Sequence, residues 1–218
     1  MSILSKLSSA QDRKDEEPNK ELARELVQTK NTAGIQEIAD NLWHEDPRIQ
    51  SDCDGVMEEI GRNQPELIED YVSDFLELLS SKRNRRVWQS MICLSLIADR
   101  KPKEIFEKRA EIIKVMDTGS VITLDNGIKT LAKVSATDKK YSEEIFPYLL
   151  AQLRECRSKS VPQYAESIFC AVNTDNRENY TKVLNQRLDE LSPAQQNRVK
   201  KVLKKISDDT YPPAPLRP

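Results

Sequence analysis

Four side chains able to hydrogen-bond an extended backbone recur at near-constant intervals: Asp52, Gln89, Asn126 and Tyr164 lie 37, 37 and 38 residues apart. Such a ladder, one group per structural unit and about 10 Å apart as packed helices are, suits the main chain of an extended peptide. Cations accompany it. Arg48 stands one helical turn before Asp52, Arg85 and Arg86 stand about one turn before Gln89, and Lys129 and Lys133 follow Asn126. Arginine and lysine so placed would take acidic side chains or phosphates through charge-assisted hydrogen bonds. Arg48, Asp52, Arg85, Arg86, Gln89, Asn126, Lys129, Lys133 and Tyr164 are the expected partner-binding set.

Catalytic chemistry has no comparable support. His44 is the single histidine. The acidic pairs Glu58–Glu59, Glu69–Asp70 and Glu143–Glu144 are neighbours in sequence, and neighbours on a helix point in different directions. They read as solvated faces rather than acid/base pairs. Cys53, Cys93, Cys156 and Cys170 lie far apart inside helix-like runs, so they read as reduced, small apolar residues. Five glycines in the chain leave little scope for phosphate-cradling loops. No enzyme activity, no metal and no cofactor are expected. Trp88, in the basic run "SKRNRRVW", falls at helical spacing with Met91, Ile92 and Ser95, so it is expected in the core.

The elements that would position these residues are repeated. Ile60, Ile97, Val134 and Val172 form one apolar column, at offsets of 37, 37 and 38 residues. Leu79, Met116, Leu153 and Leu191 form a second, 19 residues further on in each copy. Phe75, Ile112 and Leu149 begin a third, which Arg187 interrupts. Spacings of three and four within each segment are the buried stripe of a helix. Cys53, Ser90, Gly127 and Ala165 form a column of small residues where a neighbouring helix could approach closely. Residues 23–42 fit the same frame through Ile35, Ile38, Ala39 and Leu42, as a weaker first copy.

Breakers fall between these stripes. Asp46–Pro47 reads as an N-cap and first helical residue, Gly119–Ser120 as an end and a new cap, and Ser192–Pro193–Ala194–Gln195 as a capping box. Helices are predicted over 18–30, 32–44, 47–61, 66–80, 85–98, 103–117, 121–135, 140–156, 161–172, 177–190 and 193–206. A single helical hairpin buries one side only, and stacking the next hairpin against it continues the core.

A two-helix unit of about 37 residues with a D-P turn and an arginine near the start of the second helix resembles HEAT repeats, here through Asp46, Pro47 and Arg48, and again through Arg85–Arg86–Val87. The resemblance covers roughly residues 32–206. The third and fourth units carry "TGSVI" and "KSVPQ" in place of the D-P turn. The resemblance implies an all-α, right-handed α-α superhelix (α-solenoid) of about five hairpins, with the second helices on the concave face. It also implies a scaffold or adaptor that binds another protein there. The alternative is a nucleic-acid-binding or DNA-repair-like solenoid using a basic central groove.

Three regions are expected: a polar N-terminal segment over 1–17, one solenoid domain over 18–206 and a Pro-rich tail over 207–218. In the tail Pro212, Pro215 and Arg217 match the P-x-x-P-x-R form of SH3 ligands, and an extended end is expected. Residues 1–84 are acidic in balance and 85–159 basic, within a formal net charge of −2. The chain has no run apolar enough to span a membrane and no secretion signal, so the cytoplasm is the expected compartment.

Overall fold

The computed structural model describes residues 2–207. Twelve α-helices joined by short 3-10 turns account for most of them, and there is no strand among the described residues. In chain order the helices are α1 (Glu17–Thr29), α2 (Thr32–Asp40), α3 (Pro47–Asn63), α4 (Val72–Leu78), α5 (Asn84–Ile97) and α6 (Pro102–Glu107). They continue with α7 (Arg109–Thr118), α8 (Val121–Ser135), α9 (Lys139–Glu155), α10 (Val161–Ile168), α11 (Arg177–Arg187) and α12 (Pro193–Ser207). The chain divides into two compact units, Met1–Gly127 and Ile128–Pro218. The Pro-rich tail lies, from residue 208 onward, outside the described residues.

The columns read from the sequence are the core. In the first unit Ile60 and Ile97 are fully buried, and so is Ala23, the corresponding residue of the weak first copy. Leu42, Leu79 and Met116 are buried with them. In the second unit Val134 and Val172 are fully buried, and Leu153 and Leu191 close the second column. Small residues matter where helices meet closely. A Cβ on Gly127 would stand 2.4 Å from Met116 Cγ, so a larger residue there would push the Met116 side chain aside.

Caps form where the sequence placed them. Asp46 accepts the Arg48 N–H at 2.8 Å with Pro47 at the first position of α3. Ser120 Oγ accepts the Thr123 N–H at 3.2 Å at the head of α8. Gln195 Oε1 accepts the Ser192 N–H at 2.9 Å, one half of the expected capping box. Five predicted helices are divided: 32–44, 161–172 and 177–190 end in 3-10 turns at Asn41–Trp43, Phe169–Ala171 and Leu188–Glu190. The segment 66–80 opens with 3-10 turns at Pro65–Leu67 and Glu69–Tyr71 before α4 begins. The segment 103–117 breaks at Lys108, where Arg109 lies over the Phe106 ring at 4.2 Å and donates to the Phe106 carbonyl at 3.1 Å.

The N-terminal residues are folded onto the first unit. They make 3-10 turns at Ile3–Lys6 and Ser9–Gln11, and Leu7 between them is fully buried. The turns are tied down by side chains from α1 and α3: Asn19 Oδ1 accepts from Ser8 N at 2.9 Å and Asp52 Oδ2 from Ser9 N at 2.7 Å.

Candidate functional site

In the first unit α3 packs between α1 and α5. Their shared surface holds a cavity of about 160 Å³. Glu16, Asn19 and Lys20 border it from α1 and its cap, Ser51, Gly55, Glu58 and Glu59 from α3, and Arg85, Trp88 and Gln89 from α5. The amphipathic stripes explain the arrangement. Cys53, Val56, Met57 and Ile60 turn α3 inward at helical spacing, which leaves Gly55 and Glu59 on the opposite flank.

Three carboxylates and an indole therefore meet one opening. Glu58 Oε1 accepts from Arg62 Nε at 3.0 Å and Nη2 at 2.8 Å, within α3. Glu59 Oε1 is touched by the Asn63 amide at 3.3 Å. Glu16 is ion-paired with Arg85, whose Nε also donates to Gln89 Oε1 at 3.3 Å. Trp88 is half-buried and faces the opening. This corrects the expectation that Trp88 belongs to the core with Met91 and Ile92, which are buried.

Gly55 keeps the floor open. A Cβ there would meet only Gln89 Nε2, at 3.9 Å, an ordinary contact. Gly55→Ala is thus expected to raise stability by about 0.5–1 kcal/mol, the usual helix-interior gain over glycine, as measured by thermal unfolding, while narrowing the cavity.

A second cavity of about 300 Å³ adjoins the N-terminal turns and the start of α3. Its charges are largely paired within the protein. Arg13 donates to Asp15 at 2.8 Å, and that bond holds the Asp15 carboxyl below its ordinary value. Arg48 pairs with Asp46 at 2.9 Å and holds it low in the same way. In the second unit a cleft of about 270 Å³ lies beside Phe146, Pro147 and Leu150 of α9 and the turn at Asn173–Asn176.

The expected partner-binding residues fall into two groups. Arg48 and Arg85 are exposed on the cavity rims, and Gln89 is buried with its amide at the first cavity. Asn126 lies on the surface of α8, its amide donating to the Ile122 carbonyl of its own helix at 2.9 Å. Lys129 is exposed and Lys133 half-buried on the part of α8 that belongs to the second unit. Asp52 carries no free ladder group, because it accepts from Ser9 N at 2.7 Å and Asn19 Nδ2 at 2.8 Å.

Two residues correct the expectation outright. Arg86 is buried, donating to Asp54 at 2.7 and 3.1 Å and to the Leu42 carbonyl at 2.5 Å, and so is a strut rather than a surface cation. Tyr164 is buried because it falls on the inward stripe of α10 with Val161, Ala165 and Ile168. Glu16, Asn19, Glu58 and Trp88 border the first cavity as well and lie outside the expected set, although Trp88 directly precedes the ladder residue Gln89.

No constellation for catalysis appears among these groups. Among the described residues no cluster of three or more His, Cys, Asp or Glu could hold a metal ion. Cys53, Cys93, Cys156 and Cys170 form no disulfide. Burial pushes the Cys53 thiol up to about 12 and raises Cys93 and Cys156 as well. Among the described residues no helix is long and apolar enough to cross a membrane.

No protein-family model matches the sequence, and no curated protein matches it. Solved structures do. An engineered protein aligns over 94% of this chain and 97% of its own, with TM-score 0.67 at 17% identity. A designed armadillo repeat protein solved in complex with the peptide (KR)4 aligns over 84% of this chain and 85% of its own, with TM-score 0.65 at 12% identity. Computationally designed armadillo repeat proteins for modular peptide recognition align over 92% of this chain and 97% of theirs, with TM-score 0.65 at 13% identity. The repeated columns, the all-helical architecture and these alignments together show that the chain has the all-α fold of armadillo/HEAT-like helical-repeat solenoids.

Proposed function

We propose that the protein is a non-catalytic binding scaffold that takes an extended, basic segment of another protein on the α1–α3–α5 surface of its first unit. One observation carries the reading: the carboxylates of Glu16, Glu58 and Glu59 border a single cavity beside the Trp88 ring. Carboxylates pair with ammonium or guanidinium groups, and an indole face attracts the same cations. A volume of about 160 Å³ suits one side chain of a partner rather than a drug-sized ligand.

Two further points support it. A designed armadillo repeat protein of the same fold is solved with the basic peptide (KR)4. Arg86, one of the cations expected to favour phosphates, is buried and paired with Asp54, which weighs against the nucleic-acid alternative.

Titrating the full chain into fluorescently labelled (KR)4, with anisotropy as readout, tests the reading. Binding is expected to weaken as salt rises. Glu59→Gln, at the carboxylate with the weakest internal engagement, is expected to weaken it about fivefold, the loss of one charged contact. Equal affinity for wild type and Glu59→Gln would overturn the assignment of this cavity.

A further inference from the structure

Glu16, Ser51 and Arg85 border both cavities of the first unit, so the Glu16–Arg85 ion pair lies where the two adjoin. The pair joins the cap of α1 to the first turn of α5. Both side chains are about half exposed, at 54% and 49%. The same guanidinium reaches Gln89 Oε1, the amide at the cavity. One arginine thus occupies a carboxylate and an amide oxygen that would otherwise face the opening.

We propose that Arg85 is an internal competitor for the site: its guanidinium occupies the place that a cationic side chain of the partner takes on binding. The proposal rests on the basic-segment reading above and adds regulation to it. Its physics is the contrast between two adjacent arginines. Arg86 is buried, and its removal would strand a buried carboxylate. Arg85 makes a half-exposed ion pair, and such pairs are weak enough to be exchanged for another cation without unfolding anything. Displacement of Arg85 frees Glu16 and the Gln89 oxygen together and joins the two cavities into one furrow. A longer segment can then lie along α1, α3 and α5 than either cavity admits alone.

The test uses the full chain and labelled (KR)4 as probe. Arg85→Gln removes the competitor and is expected to tighten binding about fivefold. Arg85→Lys, which keeps a cation for Glu16, is expected to stay within about twofold of wild type. Lys82→Gln, at an exposed cation that borders neither cavity, controls for bulk charge. A gain for Arg85→Gln well above that for Lys82→Gln supports the competitor. Equal gains for the two variants, or no gain for Arg85→Gln, overturn it. If wild type binds (KR)4 through Glu59 yet Arg85→Gln is no tighter, the competitor falls and the basic-segment reading stands. If neither wild type nor Arg85→Gln binds the peptide, the basic-segment reading fails and the competitor with it.

Discussion

Arg86→Met is expected to destabilise the first unit by about 3–5 kcal/mol at neutral pH, the cost of leaving one member of a buried ion pair alone. Arg86 and Asp54 expose only 7% and 2% of their side chains. The guanidinium also serves the Leu42 carbonyl and lies 5.7 Å from the Trp43 ring, so it joins α5 to α3 and to the turn after α2. Truncation would strand Asp54 and leave that carbonyl without its cation. The double variant Asp54→Leu/Arg86→Met should recover much of the loss, since an apolar pair carries no stranded charge.

The pH dependence follows from Asp54. Burial raises its carboxyl above the ordinary value, and the hydrogen bonds from Arg86 pull it part of the way back. A carboxyl raised in the folded state holds its proton more tightly than in the unfolded chain. Its contribution to stability is present below the unfolded value and is lost as pH rises through the folded one. Without Arg86 the folded value climbs further, so the deficit of Arg86→Met is largest at neutral pH and narrows as acid protonates Asp54. Urea unfolding followed by tryptophan fluorescence reads this directly, because Trp43 and Trp88, the two tryptophans, both lie in the first unit. A deficit under about 1 kcal/mol, or one that widens in acid, would show that the pair does not hold the unit together.

Arg187→Leu carries the second large effect, in the second unit. Leucine is what the repeat would write there, since Phe75, Ile112 and Leu149 occupy the same column. Yet Arg187 donates to the carbonyls of Leu153 at 2.9 Å, Arg154 at 2.5 Å and Cys156 at 2.6 Å. Those oxygens end α9, where the last four carbonyls of a helix lack partners within it. A cation at a helix C-terminus also meets the negative end of the helix dipole. Loss of these bonds to a charged donor is expected to cost about 2–3 kcal/mol despite the added apolar area. Thermal unfolding gives the magnitude, and hydrogen exchange should show lost protection at the end of α9. Arg187→Lys should recover only part, because an ammonium cannot reproduce the fork. Greater stability in Arg187→Leu would mean that the column, and not the cap, decides this position.

The same contrast separates what was legible in the chain from what was not. The period, the buried columns from Ile60 to Val172, and the caps at Asp46, Ser120 and Ser192 all depend on residues a few positions apart. Helical geometry converts such spacings directly into faces and ends. The exposure of single polar residues is another matter. α5 packs against both α3 and α4, so Arg86 and Gln89 are buried although they lie off the apolar columns. Arithmetic on one helix cannot count its neighbours.

The candidate site was legible only in outline. Gln89, Arg85 and the flank of α3 could be placed near one another from the repeat alone. Asp52 could not be known to be occupied, because the groups that occupy it come from Ser9 and Asn19, 43 and 33 residues away. Nor could Arg85 be known to be paired, because Glu16 lies 69 residues from it. The sequence by itself determined an all-helical repeat, its period and its core, since these follow from local spacing and from the need of each hairpin to bury its open side. Only the tertiary structure decided which charged residues are struts, which are caps and which border a cavity. Those roles depend on partners from other helices, and burial without a partner is what makes a charge costly.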